Sequence, residues 1–88
     1  DLHIEQLTKD YDNMNNNEML EMQLQTFEDN LDKAIATGMD EITFIHGVGS
    51  GALKNAIHKK LSKIDGIKYF EDAMKEKFGY GATLVRIK

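Results

Sequence analysis

Apolar residues recur three and four apart at Leu20, Leu24, Phe27, Leu31 and Ile35, a spacing that predicts an amphipathic helix from about Asn17. Asn16 or Asn17 can cap its start, and Gly38 can supply the left-handed residue that ends it. The period then changes. EITFIH, at residues 41–46, is a β-branched and aromatic run of the kind expected for a central strand buried on both faces. GVGSG interrupts it, and Leu53, Ala56, Ile57 and Leu61 resume a helical stripe that stops at IDG. IKYFEDA alternates in part and predicts a strand, MKEKFGYG a connection, and ATLVRIK a last strand. At the front, DLHIEQL reads as a short strand with Asp1 and His3 on one face and Leu2 on the other. The polar stretch at residues 8–17 reads as a loop. Its Asp10-x-Asp12 start is not a calcium loop, because Met14 and Asn15 stand where a ligand and a glycine are needed.

The predicted order is βαβαββ. Right-handed crossovers would make the first strands parallel, and the last two would pair as a hairpin. Two helices on a four-stranded mixed sheet form an α/β domain, an α+β two-layer sandwich, and residues 1–88 read as one domain.

Eighty-eight residues allow one modest core. The absence of cysteine excludes disulfides, thiolate metal sites and cysteine nucleophiles, and the composition fits a cytoplasmic protein. No apolar run approaches the roughly 20 residues of a membrane span. The chain opens on Asp and ends inside a strand pattern, so a domain cut from a longer, multidomain parent protein is expected. The net charge of −4 conceals a division. Residues 1–50 hold eleven acids against two lysines, and residues 51–88 nine basic residues against four acids, giving −9 and +5. The second half can therefore present a basic face in an acidic protein, with lysines holding phosphates as point charges.

The chemistry concentrates in FIHGVGSGALK. His46 closes a strand, Gly47, Gly49 and Gly51 follow at alternate positions, and a helix begins whose free N–H groups and dipole favour an anion. A tight turn alone would also use such glycines. No Gly-Lys-Ser/Thr follows, so this is not a P-loop, and the acids nearest the place a dinucleotide's ribose would need one, Glu71 and Asp72, lie in the wrong kind of strand. His58, on the helix beside Lys59, reads as a solvent-facing or rim residue. Asp1 beside His3 is the pairing that fixes an imidazole tautomer for acid–base work. Asp1, His3 and His46 are also ligand types for a divalent ion.

Three separated pieces together resemble the Smr (small MutS-related) domain family: DLH at Asp1–His3, HGVGSG at His46–Gly51 and GYGATLV at Gly79–Val85, the last carrying Gly79, Gly81 and Thr83. Ile4 stands where the first family motif has glycine, and residues 8–17 look like an insertion. The resemblance implies a fold similar to the C-terminal domain of the third bacterial translation initiation factor. It implies nucleic-acid business as well, since members are associated with DNA nicking and with RNA cleavage. It places Asp1 and His3 among the residues for cleavage and the His46–Gly51 loop beside them.

The expected function is RNA or DNA binding with endonuclease activity. Gly47, Gly49, Ser50, Gly51, Lys54, Lys59 and Lys60 would hold phosphate, His3 oriented by Asp1 would move a proton, and His46 would position the phosphate or share that transfer. RNA cleavage can use the substrate's 2′-hydroxyl, whereas DNA nicking calls for activated water with Mg²⁺ or Mn²⁺. The alternative is a non-catalytic module docking a protein or the ribosome, and a third reading is a small anionic metabolite at the glycine loop.

Overall fold

The computed structural model describes residues 1–73 and 75–88. Four helices and three strands follow in the order α1 (Ile4–Leu7), α2 (Asn16–Ala36), β1 (Glu41–Ile45), α3 (Ala52–Leu61), β2 (Ile67–Asp72), α4 (Lys75–Phe78) and β3 (Ala82–Ile87), with a 3₁₀ turn at Tyr11–Asn13. Met74, part of the expected connection, lies outside the described residues.

The long helix forms where its spacing predicts, and both ends are closed by side chain and backbone. Asn15 is the cap: its side chain accepts from the Glu18 amide at 2.8 Å, while the Glu18 carboxylate accepts from the Asn15 amide at 3.0 Å. This reciprocal box places the start one residue before the expected caps. At the other end Gly38 adopts φ +75°. The Gly38 amide donates to Ile35 O and the Met39 amide to Ala34 O, a Schellman closure of the last carbonyls.

Among the described residues the sheet has three strands in the order β1-β3-β2, and both pairings are antiparallel. The expected four-stranded mixed sheet is therefore corrected. β1 and β2 run the same way, but β3 lies between them; the β2–β3 hairpin is as expected. Residues 1–7 contribute no strand. One ladder-like bond joins them to the sheet, from the Leu2 amide to Ile45 O at 2.8 Å. The chain then turns helical at Ile4, because Ile4 and Leu7 are three apart and share a face that alternation would separate. β1 is an edge strand with Glu41 and Thr43 exposed, whereas β3 is central and buried at Ala82, Thr83, Val85 and Ile87. The expected connection after β2 includes the short helix α4.

Register gives the sheet one core face. Phe44 pairs with Thr83, Ile42 with Val85, Phe70 with Val85 and Asp72 with Thr83, so these residues share one side. Against that side lie Phe27 and Leu31 of α2 and Leu53, Ile57 and Leu61 of α3, joined by Leu2 from the front of the chain. Phe27 meets Phe44 edge-on with ring centroids 4.7 Å apart. The result is two layers. No helix among the described residues is long and apolar enough to cross a membrane.

Phe27 is fully buried at the meeting of helix and edge strand. Phe27→Ala is expected to cost about 3–5 kcal/mol, through lost transfer free energy and the cavity left behind. Urea unfolding monitored by circular dichroism checks this, and a loss under about 1 kcal/mol would contradict the packing described.

Candidate functional site

The site begins with a leucine. Leu2 is 1% exposed, its amide donates to Ile45 O, and its carbonyl accepts from Gln23 Nε2 of α2 at 2.9 Å. With Leu2 fixed on three sides, its neighbours face outward. Asp1 Oδ1 accepts from the His3 amide at 2.9 Å and lies 2.8 Å from His3 Nδ1. A carboxylate only accepts, so Nδ1 carries the proton of that bond and Nε2 of the neutral ring keeps its lone pair. The two side chains are 42% and 45% exposed, the ring open to a ligand while its tautomer is fixed.

His3 rests on the glycine loop. Gly47 has φ +79°, and a Cβ there would lie 2.8 Å from His3 Nε2. Glycine is required at this position twice over, for the left-handed backbone and for the imidazole against its Cα. Gly49 and Gly51 are left-handed as well, at φ +43° and +86°, and Gly51 is the cap of α3. A cavity of about 440 Å³ opens beside them. Its walls are the loop from His46 to Gly51, the first turn of α3 through Lys54, and Asn16, Asn17 and Gln23 of α2. Two helix N-termini thus meet at one cavity, each with first-turn amides that no helical carbonyl can satisfy.

His46 does not reach out to this surface as a free ring. It is 6% exposed, with Nδ1 2.8 Å from Gly47 O and Nε2 2.8 Å from Thr83 Oγ1. His58 Nε2 is 2.9 Å from the same hydroxyl. Donor logic orders the chain. Gly47 O can only accept, so His46 Nδ1 donates to it and His46 Nε2 accepts from Thr83; the Thr83 oxygen is then free to accept from His58 Nε2. Thr83, fully buried, is the hinge of this network. His58, expected at a solvent-facing rim, instead packs inward, its ring centroid 4.9 Å from that of Phe70. Burial holds both histidines below the ordinary 6.5; the Gly47 carbonyl opposes the shift at His46, while Lys54 adds to it at both. Gly81 O completes the base of the loop by accepting the amides of His46 and Gly47, each at 2.9 Å.

The lysines divide. Lys54 lines the cavity and pairs with Asp72 at 2.8 Å, a hydrogen bond that holds the Asp72 carboxyl below 3.8. Lys59 and Lys60 lie on the opposite flank of α3 with Lys63, along a separate groove of about 330 Å³, and Lys60 pairs with Glu28 at 2.7 Å. Of the expected phosphate ligands, Gly47, Gly49, Ser50, Gly51 and Lys54 are brought together; Lys59 and Lys60 are not. Sequence reasoning missed Gln23, which anchors Leu2, and the contact of His58 with Thr83. The first sat unremarked on a helix flank, and the second spans 25 residues with no local pattern to reveal it.

Thr83→Val keeps the shape and removes the hydroxyl shared by two imidazoles. A loss of about 1–3 kcal/mol in unfolding free energy is expected, and an unchanged denaturation midpoint would contradict the network. The network also sets a pH response. Both histidines bind protons less readily folded than unfolded, so their contribution is complete above about pH 6.5 and is lost as pH falls below it. Asp72 adds a second loss below its ordinary 3.8. Urea midpoints across that range should decline in these two steps, and a flat response from neutral pH to about pH 5 would exclude the first.

The model of the Smr domain family matches residues 16–88, which leaves Asp1–His3 outside the matched segment. The endonuclease MutS2 of Aquifex aeolicus is 35% identical over 69 residues, covering 78% of this chain and 9% of that protein. The Pediococcus pentosaceus endonuclease MutS2 is 45% identical over 58 residues, 66% of this chain and 7% of that protein. The chain thus spans less than a tenth of the length of these relatives. The Smr domain of Thermus thermophilus MutS2 superposes with a TM-score of 0.73 at 30% identity, over 78% of this chain and 86% of that one. With most of its length matched by the family model and its fold by a solved Smr domain, this chain belongs to the Smr domain family.

Proposed function

We propose that this Smr domain binds nucleic acid through its phosphates at the glycine loop and cleaves RNA with His3 as general base and acid. The observation that carries the reading is the Asp1–His3 pair, half-exposed and seated on Gly47. Asp1 holds His3 Nδ1–H, so Nε2 can take the proton of a ribose 2′-hydroxyl as that oxygen attacks the adjacent phosphorus. The P–O5′ bond breaks to leave a 2′,3′-cyclic phosphate, and the 5′-oxygen departs as a hydroxyl with the proton returned from the imidazolium. The glycine loop and the N-terminus of α3 offer amide donors to the phosphate, and Lys54 adds charge at the cavity edge. His46 is a positioning residue in this scheme, because its Nδ1–H fixes the Gly47 carbonyl against which the turn is built. That the relatives are named endonucleases of the MutS2 type is consistent with this chemistry.

The donor set does not make a resident site for Mg²⁺ or Mn²⁺. Asp1 is already engaged by His3, and no group of three metal-ligating side chains gathers among the described residues. RNA, which carries its own nucleophile, is therefore the substrate class this geometry serves best. A second reading, a non-catalytic module that docks a protein or the ribosome, draws on the Lys59, Lys60 and Lys63 flank facing away from the loop.

Labelled single-stranded RNA incubated with the chain should be cut, and His3→Ala should slow cleavage about 100-fold or more while binding persists. Gly47→Ala should do the same by pushing the imidazole aside, with a stability cost of about 1–2 kcal/mol for the left-handed alanine. Binding should weaken as salt is added, since phosphates supply the contacts. Cleavage unaffected by His3→Ala would refute the role of His3. Salt-sensitive binding without any cleavage would leave the docking module.

A further inference from the structure

We propose that Tyr80 is a stacking platform for an unpaired nucleobase, so that the site prefers single-stranded nucleic acid; this inference rests on the nucleic-acid reading above. Tyr80 is 57% exposed, whereas Phe44 is buried and Phe70, packed on His58, is half-buried. An exposed aromatic ring on a small domain calls for an explanation when its backbone is held firmly, and here it is. On one side the Gly79 amide donates to Lys75 O at 2.8 Å; on the other, Gly81 O accepts the amides of His46 and Gly47. The ring therefore projects from the residue next to the carbonyl that secures the glycine loop. Gly47 in turn touches His3, so the glycine loop links the segment that carries Tyr80 to the imidazole.

Charge surrounds the ring. Lys54 Nζ and Lys75 Nζ each lie 5.0 Å from its centroid, and Lys54 also lines the cavity. An aromatic face flanked by cations, one of them lining the cavity at the glycine loop, is the combination that single strands use, with bases on the ring and backbone on the charges. Magnitudes favour the exchange. An exposed cation–π contact contributes about 0.5–1 kcal/mol, whereas a stacked base contributes about 1–3. A base can therefore displace an ammonium from the ring, and the released lysine is left within reach of the neighbouring phosphates. Paired bases in a duplex cannot offer a face to Tyr80 without being unstacked.

The test uses fluorescence anisotropy with the chain, a short labelled single-stranded oligonucleotide, the same backbone made of abasic units, and a duplex of the same sequence. The chain should bind the base-bearing strand about 5- to 100-fold more tightly than the abasic strand or the duplex. Tyr80→Ala should abolish that preference, leaving affinity for the abasic strand and its salt dependence as they were. Tyr80→Phe should retain it, since stacking does not use the hydroxyl. A preference that survives Tyr80→Ala, or an equal loss of affinity for all three probes, overturns the platform while leaving phosphate binding in place. Absence of binding to every probe would overturn the nucleic-acid reading and the platform with it.

Discussion

The position of the exposed imidazole depends on one buried hydroxyl. Thr83 Oγ1 has one proton to give and lone pairs to receive, and it uses both: it serves His46 at the end of β1 and His58 on α3. Three elements are thereby locked at one point of the central strand. The effect passes outward through His46, whose second nitrogen holds the Gly47 carbonyl, while Gly81 O holds the Gly47 amide. Both polar groups of the glycine are fixed, and the turn has a single shape. Only then does a flat Cα surface exist for His3 to rest on. His46 must be neutral for its Nε2 to accept from Thr83, and burial supplies that condition by opposing its protonation.

The front of the chain is held by a different economy. Ordering Asp1, Leu2 and His3 costs about 1–2 kcal/mol per residue in backbone entropy, and their tie to the sheet is one amide bond to Ile45. Burying Leu2 returns about 1.5–3 kcal/mol, and the bonds at its amide and carbonyl about 1 each. The terms nearly cancel, so the segment is held without a large margin. Gln23 matters for that reason. It reaches from α2 to the Leu2 carbonyl and also lines the cavity, so one side chain touches both the DLH segment and the loop's cavity.

What could be read from the sequence was what is encoded locally. The helix at residues 16–36 declared itself by period, and its start fell among three consecutive asparagines that look alike. Glu18, three residues after Asn15, is the feature that distinguishes them, since it closes the box. The glycine loop and the last two strands were legible for the same local reasons. The front was misread because D-L-H alternates for only three residues, too few to separate a strand from an extended lead-in to a helix. The apolar and β-branched residues within EITFIH favour a central strand, yet Glu41 and Thr43 face solvent and Arg86 of β3 pairs with Glu41 at the edge. Strand order is decided by the insertion of β3 between β1 and β2, a non-local event that periodicity does not carry. The bond between His58 and Thr83 has the same origin.

Charge was the least reliable guide, for a geometric reason. The second half is basic in sum, but a helix distributes its lysines around its axis. Lys54 falls on the flank of α3 that faces the sheet, and Lys59 and Lys60 fall on the other, with Lys63 just past the helix end. Each flank is then partly neutralised, by Asp72 at one and by Glu28 at the other. A phosphate at the glycine loop would meet backbone amides and one lysine already engaged, not a field of free cations. If nucleic acid binds there as proposed, charge contributes modestly to affinity and the salt dependence is correspondingly shallow. Under the same proposal the exposed ring beside Lys54 adds stacking, which keeps its strength where counterion release is small.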